Sequence, residues 1–384
     1  MRTCIALSQS SIFILDGVFK ENVLIKGIFS SLCNRLLRFK EGCITKKKVA
    51  IRDVAQSAEV SIATVSRYLN GKYHTMSAAT RQRIEEIIKV LEYKPNDVAR
   101  TLRSLKSKTI GVIMSNILNP YSVAILQGIE EMCSKSGYNI ILCDTKESVD
   151  KEREFIDMML AKNIDAFIIN TTGGNSDLIH EISKEIPVVL VGRKIPGSLV
   201  DTIAINNQQG VCLAMNHLMG QGCQIIDMIS PQPEGISPRV ERIEAFCQFG
   251  RNDQQQSLNT SVHIVQIEDV DDVILVIQSL INKHGCHKHL GLIAANGVVS
   301  LAVLKAVRQL GYSIPQDFLL VGFDETDWAS VSNPSLTVVA QPTYVVGERA
   351  AEHVMYRLQN NERSEPIAVE LDVELISRDS TKLQ

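Results

Sequence analysis

The stretch SIATVSRYLNG, residues 61–71, carries small and polar side chains where a surface helix would normally carry long charged ones. Val65 and Leu69 stand four apart and can bury only one narrow stripe of a helix. Ile62, Ala63, Thr64, Ser66 and Arg67 are then left on the outer side. Small side chains let a helix backbone settle into the major groove of DNA. In that setting the hydroxyls of Thr64 and Ser66 reach phosphates, while Ile62, Ala63 and Arg67 reach base edges. Asn70, which stops the helix together with Gly71, is grouped with them. The alternative, the solvated face of a small bundle, would favour Glu, Lys and Gln. Other chemistry is thinly represented. His284-Gly285-Cys286-His287-Lys288-His289 could ligate a soft metal, but no second cluster supplies further ligands at zinc-site spacing. It reads as a polar turn before a strand, and no metal or cofactor is expected. No G-x-S-x-G, P-loop or dinucleotide glycine motif occurs, and Gly173-Gly174 lacks the phosphate-binding spacing, so no enzyme is expected.

The elements that must hold the 61–71 helix are short. Ile51, Val54, Ala55 and Ala58 fall on one face of a first helix, and Asp53 suits its first turn. Glu59-Val60 makes a tight turn, and Ser61 is an N-cap for the second helix. Ser77 caps a third, whose apolar face is Ile84, Ile87, Ile88 and Leu91. Two helices across a tight turn, braced by a third, make a helix-turn-helix. Charge agrees. Residues 46–108 hold 14 Lys and Arg against 6 Asp and Glu, whereas residues 109–384 hold 20 against 34. A basic head on an acidic body suggests a polyanion-binding module joined to one that avoids polyanions.

From Thr109 strands and helices alternate. TIGVIM, NIILCD, AFIIN and VVLVG come first, then TIAI, IIDMIS, VHIVQI, LGLIAA and FLLVGF, each followed by a helical stretch or a loop. Two such sets in roughly 270 residues predict an α/β body of two lobes with largely parallel sheets. The nine cysteines form no CxxC pair and read as reduced thiols of a cytoplasmic protein. No run approaches a membrane span, and residues 1–45 read as a disordered leader or as sequence upstream of the true start.

VAIRDVAQSAEVSIATVSRYLNG resembles the headpiece of the LacI–GalR family of bacterial transcriptional regulators, densely over about 60 residues and more diffusely to the end. The resemblance implies an all-α helix-turn-helix headpiece at 46–94 and a hinge helix and linker at 95–108. It further implies a two-lobed, Rossmann-like effector-binding and dimerisation domain of the periplasmic-binding-protein type I fold at 109–384. In YKPNDVARTLRS, it makes Leu102 an apolar wedge for the minor groove and Ala99 the point where paired hinge helices meet. Ligands of open α/β sheets bind beyond the carboxyl ends of strands. Those ends are Ser115-Asn116, leading to Tyr121, then Gly192-Arg193, Ala295-Asn296 and Phe323-Asp324. Arg242 matches the family's cleft-facing arginine. Trp328, the only tryptophan, is placed to stack on a sugar face.

Three departures from the family pattern matter. Glu59 stands where the family turns on Gly, which costs roughly 1 kcal/mol if φ is positive. The usual Asn-Asp after LGLIAA is Asn296-Gly297, and a usual Asp is Asn206. Fewer carboxylates beside Arg193 and Arg242 favour an anionic effector, and AANG with GFDETDW is similar to the branch regulating sugar-acid (ketodeoxygluconate-type) catabolism. The expected function is therefore an operator-binding repressor of carbohydrate catabolism genes. It would act as a homodimer on palindromic double-stranded DNA, controlled by a small sugar or sugar-acid effector, with no membrane partner. An α/β enzyme and a secreted sugar-binding protein are the competing readings. VELISRDSTKLQ lacks a Leu heptad, so no coiled-coil tetramer is expected.

Overall fold

The computed structural model describes residues 49–69, 71–93, 106–197, 199–252, 258–266, 270–285, 289–360 and 365–382. The leader, Asn70, Ala99, Leu102 and the Cys286–Lys288 part of the histidine cluster lie outside the described residues. Between Arg100 and Thr101 the chain divides into two compact units.

The first unit holds α1 (Ile51–Ser57), α2 (Ile62–Leu69), a 3-10 turn (Tyr73–Thr75) and α3 (Ala78–Val90). Asp53 closes the first turn of α1 by accepting the Ala50 N–H at 2.7 Å. Ser61 Oγ accepts the Thr64 N–H at 3.1 Å, and Ser77 Oγ the Thr80 N–H at 3.1 Å, so both expected caps form. The core is Val54, Ala55, Ala58, Val65, Ile84 and Tyr93. Fully burying one Val or Ile is worth about 1.5–3 kcal/mol, so single losses count in so small a core. Leu69, Ile87, Ile88 and Leu91 are only half-buried flanks of it. Glu59 adopts φ +53°, the left-handed conformation its position in the turn demands. Its carboxylate lies 3.8 Å from the Arg83 guanidinium in an exposed pair.

The second unit is two lobes. The first begins with β1 (Thr109–Met114), α4 (Pro120–Lys135), β2 (Asn139–Asp144), α5 (Val149–Ala161), β3 (Ala166–Ile169), α6 (Ser176–Ser183), β4 (Val188–Val191) and β5 (Asp201–Ile205). The chain then crosses into α7 (Asn207–Gly220), β6 (Ile225–Pro231), α8 (Ser237–Asn252), β7 (Asn259–Val265), α9 (Val270–His284), β8 (Leu290–Ala294), α10 (Gly297–Leu310), β9 (Leu319–Phe323), α11 (Asp327–Val331) and β10 (Thr337–Ala340). It returns through α12 (Thr343–Asn360) and β11 (Ala368–Leu371), and crosses a third time to β12 (Glu374–Ile376). The sheets run β11-β5-β4-β3-β1-β2 and β12-β10-β9-β8-β6-β7. All pairings are parallel except β10 with β12. Inner strands are buried along their length, as helices on both faces of a parallel sheet require.

All nine strands read from the sequence are present, although β7 begins at Asn259 and ends at Val265, earlier than VHIVQI suggested. β10, β11, β12 and α12 lie beyond FLLVGF, the last strand expected from the sequence. These elements make two of the three crossovers, at 340–343 and 371–374; the first is at 205–207. Among the described residues no helix is long and apolar enough to cross a membrane. No group of three metal-ligating side chains occurs among them either.

Candidate functional site

The crossovers set the two sheets with their carboxyl ends facing one cavity of about 400 Å³. Strand ends supply most of its wall. Ser115 follows β1, Asn170 follows β3, Gly192 and Arg193 follow β4, Ala295 and Asn296 follow β8, Asp324 follows β9 and Gln341 follows β10. The first turns of α4 and α8 add Tyr121, Pro238, Arg239 and, one turn on, Arg242.

In the first lobe Asn170 accepts from Ser115 Oγ at 2.5 Å and donates to the Val191 carbonyl at 2.7 Å. Its carboxamide thus ties three strand ends together. Gly192 has φ +68°, and a Cβ there would stand 2.5 Å from the Tyr121 hydroxyl. A side chain at this point would push the ring away, so glycine fixes where Tyr121 sits. Burial and the nearby Asp324 charge raise the Tyr121 phenol well above its ordinary range, keeping it a neutral hydroxyl. Arg193 is buried and makes two hydrogen bonds to Glu147, at 2.8 and 2.9 Å, and one to the Thr171 carbonyl at 2.9 Å. Burial alone would raise the Glu147 carboxyl, but its bonds with Arg193 and the charges of Arg193 and Arg239 outweigh that and lower it. Arg193 is therefore largely committed to its own lobe.

In the second lobe Arg242 is buried with its Nε on Asn207 Oδ1 at 2.8 Å, an Nη on the Ala295 carbonyl and its plane 4.2 Å from the Phe323 ring centre. Burial pulls its guanidinium below the usual range, against the charges of Asp324, Tyr121 and Glu241. Asp324 has φ +73°, accepts the Gly297 N–H at 2.8 Å and accepts from Gln341 Nε2. Burial raises its carboxyl pKa, and the opposing pull of Arg242, Gly297 and Gln341 does not cancel the effect. Gln341 is buried, and its Oε1 has no hydrogen-bond partner. A buried acceptor in this state calls for a donor such as a ligand hydroxyl. Asn296 Oδ1 caps α10 through the Val299 N–H at 2.9 Å, leaving its Nδ2 as the group to offer.

Of the cleft residues named from the sequence, Tyr121, Arg193, Arg242, Asn296 and Asp324 come together around this cavity. Trp328 does not. It lies on α11, which begins at Asp327, and is half-buried against the hydrophobic core of the second lobe. Asn206 also stands outside the wall and caps α7 through the Gln209 N–H at 2.8 Å, so an amide there does not bear on the cleft's charge in the way expected. Glu147, Asn170, Arg239 and Gln341 were missed. Asn170 ends AFIIN, and Arg239 is one turn from Arg242, so strand-end position and helix spacing respectively point to them. Gln341 ends a strand that was not read.

On the first unit, Ile62, Ala63 and Arg67 are exposed along α2, while Thr64 and Ser66 are half-buried. Thr64 Oγ1 lies 2.9 Å from Ser61 Oγ, so it is held at the start of the helix. Beside them Arg81 stacks 4.0 Å over the Tyr73 ring, which meets Tyr68 edge-on at 5.6 Å. α2 is thus presented by a small three-helix bundle.

The profile described as bacterial regulatory proteins, lacI family, matches residues 50–96, and that of a periplasmic binding protein-like domain matches residues 215–381. The HTH-type transcriptional regulator KdgR of Bacillus subtilis (strain 168) is 32% identical over 337 residues, 88% of this chain and 98% of that protein. The HTH-type transcriptional regulator PtxS of Pseudomonas putida is 32% identical over 341 residues, with coverage of 88% and 98%. The structure of the lac repressor dimer bound to operator and the anti-inducer ONPF is similar with a TM-score of 0.76 at 21% identity, covering 87% of this chain and 99% of that one. That likeness is one of fold.

Proposed function

Because this chain belongs to the LacI family of bacterial regulatory proteins, and is thus a transcriptional regulator and not an enzyme, we propose that it is a cytoplasmic, homodimeric repressor of carbohydrate catabolism genes whose effector is a small sugar acid. Ile62, Ala63 and Arg67, with Asn70, read base edges of each half of a palindromic operator, and Thr64 and Ser66 hold the phosphates. Two-fold symmetry follows from one recognition helix reading too few base pairs. Ala99 and Leu102 act in the paired hinge and the minor groove.

The observation that carries the effector class is the charge of the cleft. Its wall holds three guanidiniums, Arg193, Arg239 and Arg242, against two carboxyls, Glu147 and Asp324. Three guanidiniums against two carboxyls leave one positive charge in excess, which one anionic group on a ligand completes. The remaining wall suits hydroxyls: Asn170, Asn296 and the unpartnered Gln341 Oε1 offer directional polar contacts in a cavity of monosaccharide size. Titration calorimetry with D-gluconate, a 2-keto sugar acid and D-glucose tests this. The sugar acids bind and glucose does not; tight glucose binding with no uptake of sugar acids overturns it.

A further inference from the structure

A continuous line of hydrogen bonds leaves the cleft and ends in the opposite lobe. Arg242 Nε donates to Asn207 Oδ1 at 2.8 Å, and Asn207 Nδ2 donates to Glu241 Oε2 at 2.7 Å. The same Glu241 oxygen accepts from Lys194 Nζ at 3.0 Å, and Lys194 Nζ also reaches Glu370 Oε1 at 2.6 Å. Arg242 and Glu241 lie on α8 of the second lobe. Asn207 is the first residue of α7, directly past the first crossover. Lys194 follows β4 of the first lobe, and Glu370 lies on β11, shortly before the third crossover. Lys194 joins the lobes a second time through its backbone, whose N–H donates to Ser237 Oγ at 2.7 Å at the start of α8. The lobes also touch at Gly173 and Gly235, where a Cβ on Gly173 would stand 2.1 Å from the Gly235 carbonyl oxygen.

From this geometry we infer that Lys194 is a positioning residue: it fastens the two lobes across the cleft and, through Glu241 and Asn207, sets the orientation of Arg242. An isolated surface ion pair would do neither, since such pairs are worth little. Lys194 differs in three ways. Its side chain is 26% exposed, and its ammonium is held between two carboxylates from different lobes. Its own amide makes a further interlobe bond. Glu241 is shared with the buried Asn207, which in turn directs the arginine that lines the cleft. With the ammonium removed, Glu241 keeps only Asn207 and is free to turn to solvent, so Arg242 loses its support from behind. Burial would lower the Lys194 pKa, but Glu370 and Glu241 outweigh this, so the clamp stays charged at neutral pH.

The fastening does not depend on which effector binds, and only its effect on ligand affinity rests on the function proposed above. Hydrogen exchange of the ligand-free full chain therefore decides it. The Lys194 amide reports the interlobe bond directly, in a peptide covering residues 192–197. Lys194→Met and Glu241→Gln should each reduce protection of that peptide about tenfold, as the loss of charge-assisted hydrogen bonds implies. Protection in β1 and β8 should stay unchanged, and Lys194→Arg should return the peptide to within about twofold of the wild type. Ser237→Ala should lower it without touching the ammonium. Lys184→Met, which removes an exposed pair with Glu181 within one lobe, should do nothing. Unchanged protection in Lys194→Met, or equal losses in the core strands, overturns the inference. In a second arm D-gluconate binds Lys194→Met about tenfold more weakly than the wild type. Wild-type protein that binds no sugar acid contradicts the effector class, while the exchange result still decides the clamp.

Discussion

Gly297→Asp tests the charge of the cleft at its most sensitive point. The Gly297 N–H binds Asp324 at 2.8 Å, and a Cβ at 297 would stand 3.1 Å from Asp324 Oδ2 and 3.3 Å from its Cβ. The added carboxylate would thus lie beside Asp324, which lines the cavity together with Asn296 and Val298 on either side of position 297. Two unit charges about 6 Å apart at an effective dielectric of ~20 repel by about 2.8 kcal/mol, which is roughly a hundredfold in Kd. Water and salt in an open cleft trim this, so a loss of about ten- to a hundredfold is expected for an anionic ligand. Crowding is a separate effect of the same substitution. Gly297→Asn has nearly the same shape without the charge, and a few tenths of an ångström of adjustment should hold its loss to about threefold. Calorimetric titration of D-gluconate at pH 8 into wild type, Gly297→Asn and Gly297→Asp separates the two effects. Equal weakening by Asn and Asp would refute the electrostatic reasoning, because shape alone would then account for the loss.

Arg67→Ala should abolish specific operator binding in a gel shift while leaving the melting temperature and ligand titration unchanged, since Arg67 is exposed on α2. Glu59→Gly should stabilise the helical unit by roughly 1 kcal/mol in a denaturant melt, because φ +53° strains a residue with a Cβ; an unchanged midpoint would show the turn relaxed. Asp201 gives a pH prediction. Burial would raise its carboxyl, but His353, Arg357 and the Ile367 N–H together hold it down at about 2. A depressed carboxyl adds stability above its unfolded pKa of 3.8 that is lost as pH falls towards about 2. Allowing for solvent screening, Asp201→Asn should remove about 1 kcal/mol of pH-dependent stability in that window, read from urea midpoints at pH 5 and pH 2.5.

Local rules were enough where a residue's role is local. Ser61 and Ser77 cap helices because a hydroxyl three residues before an N–H has few other options, and both were legible. The positive φ at Glu59 was legible only through the resemblance, which puts Gly at that turn position. Strand ends told where Asn296 and Asp324 would meet, because parallel sheets place their carboxyl ends together. Trp328 misled because closeness in sequence to Asp324 says nothing of direction once a helix intervenes. β11 and β12 depend on the chain returning between lobes, which no local pattern records, whereas β10 (TVVA), which Gln341 follows, is a buried β-branched run like those that were read. The clamp was hidden most deeply. Lys194, Asn207, Glu241 and Glu370 are ordinary polar residues in sequence, and only three crossovers bring them together.

The central claim, an operator-binding regulator switched by a small anion in the cleft, is tested most directly by one titration. Fluorescence anisotropy of a labelled palindromic duplex is followed with the full chain, alone and with sugar acids or neutral hexoses. The account predicts specific binding that a sugar acid shifts by about 5- to 150-fold, the span of typical coupling energies, and that glucose leaves alone. Specific binding indifferent to every sugar acid, or switched by a neutral hexose, would contradict it.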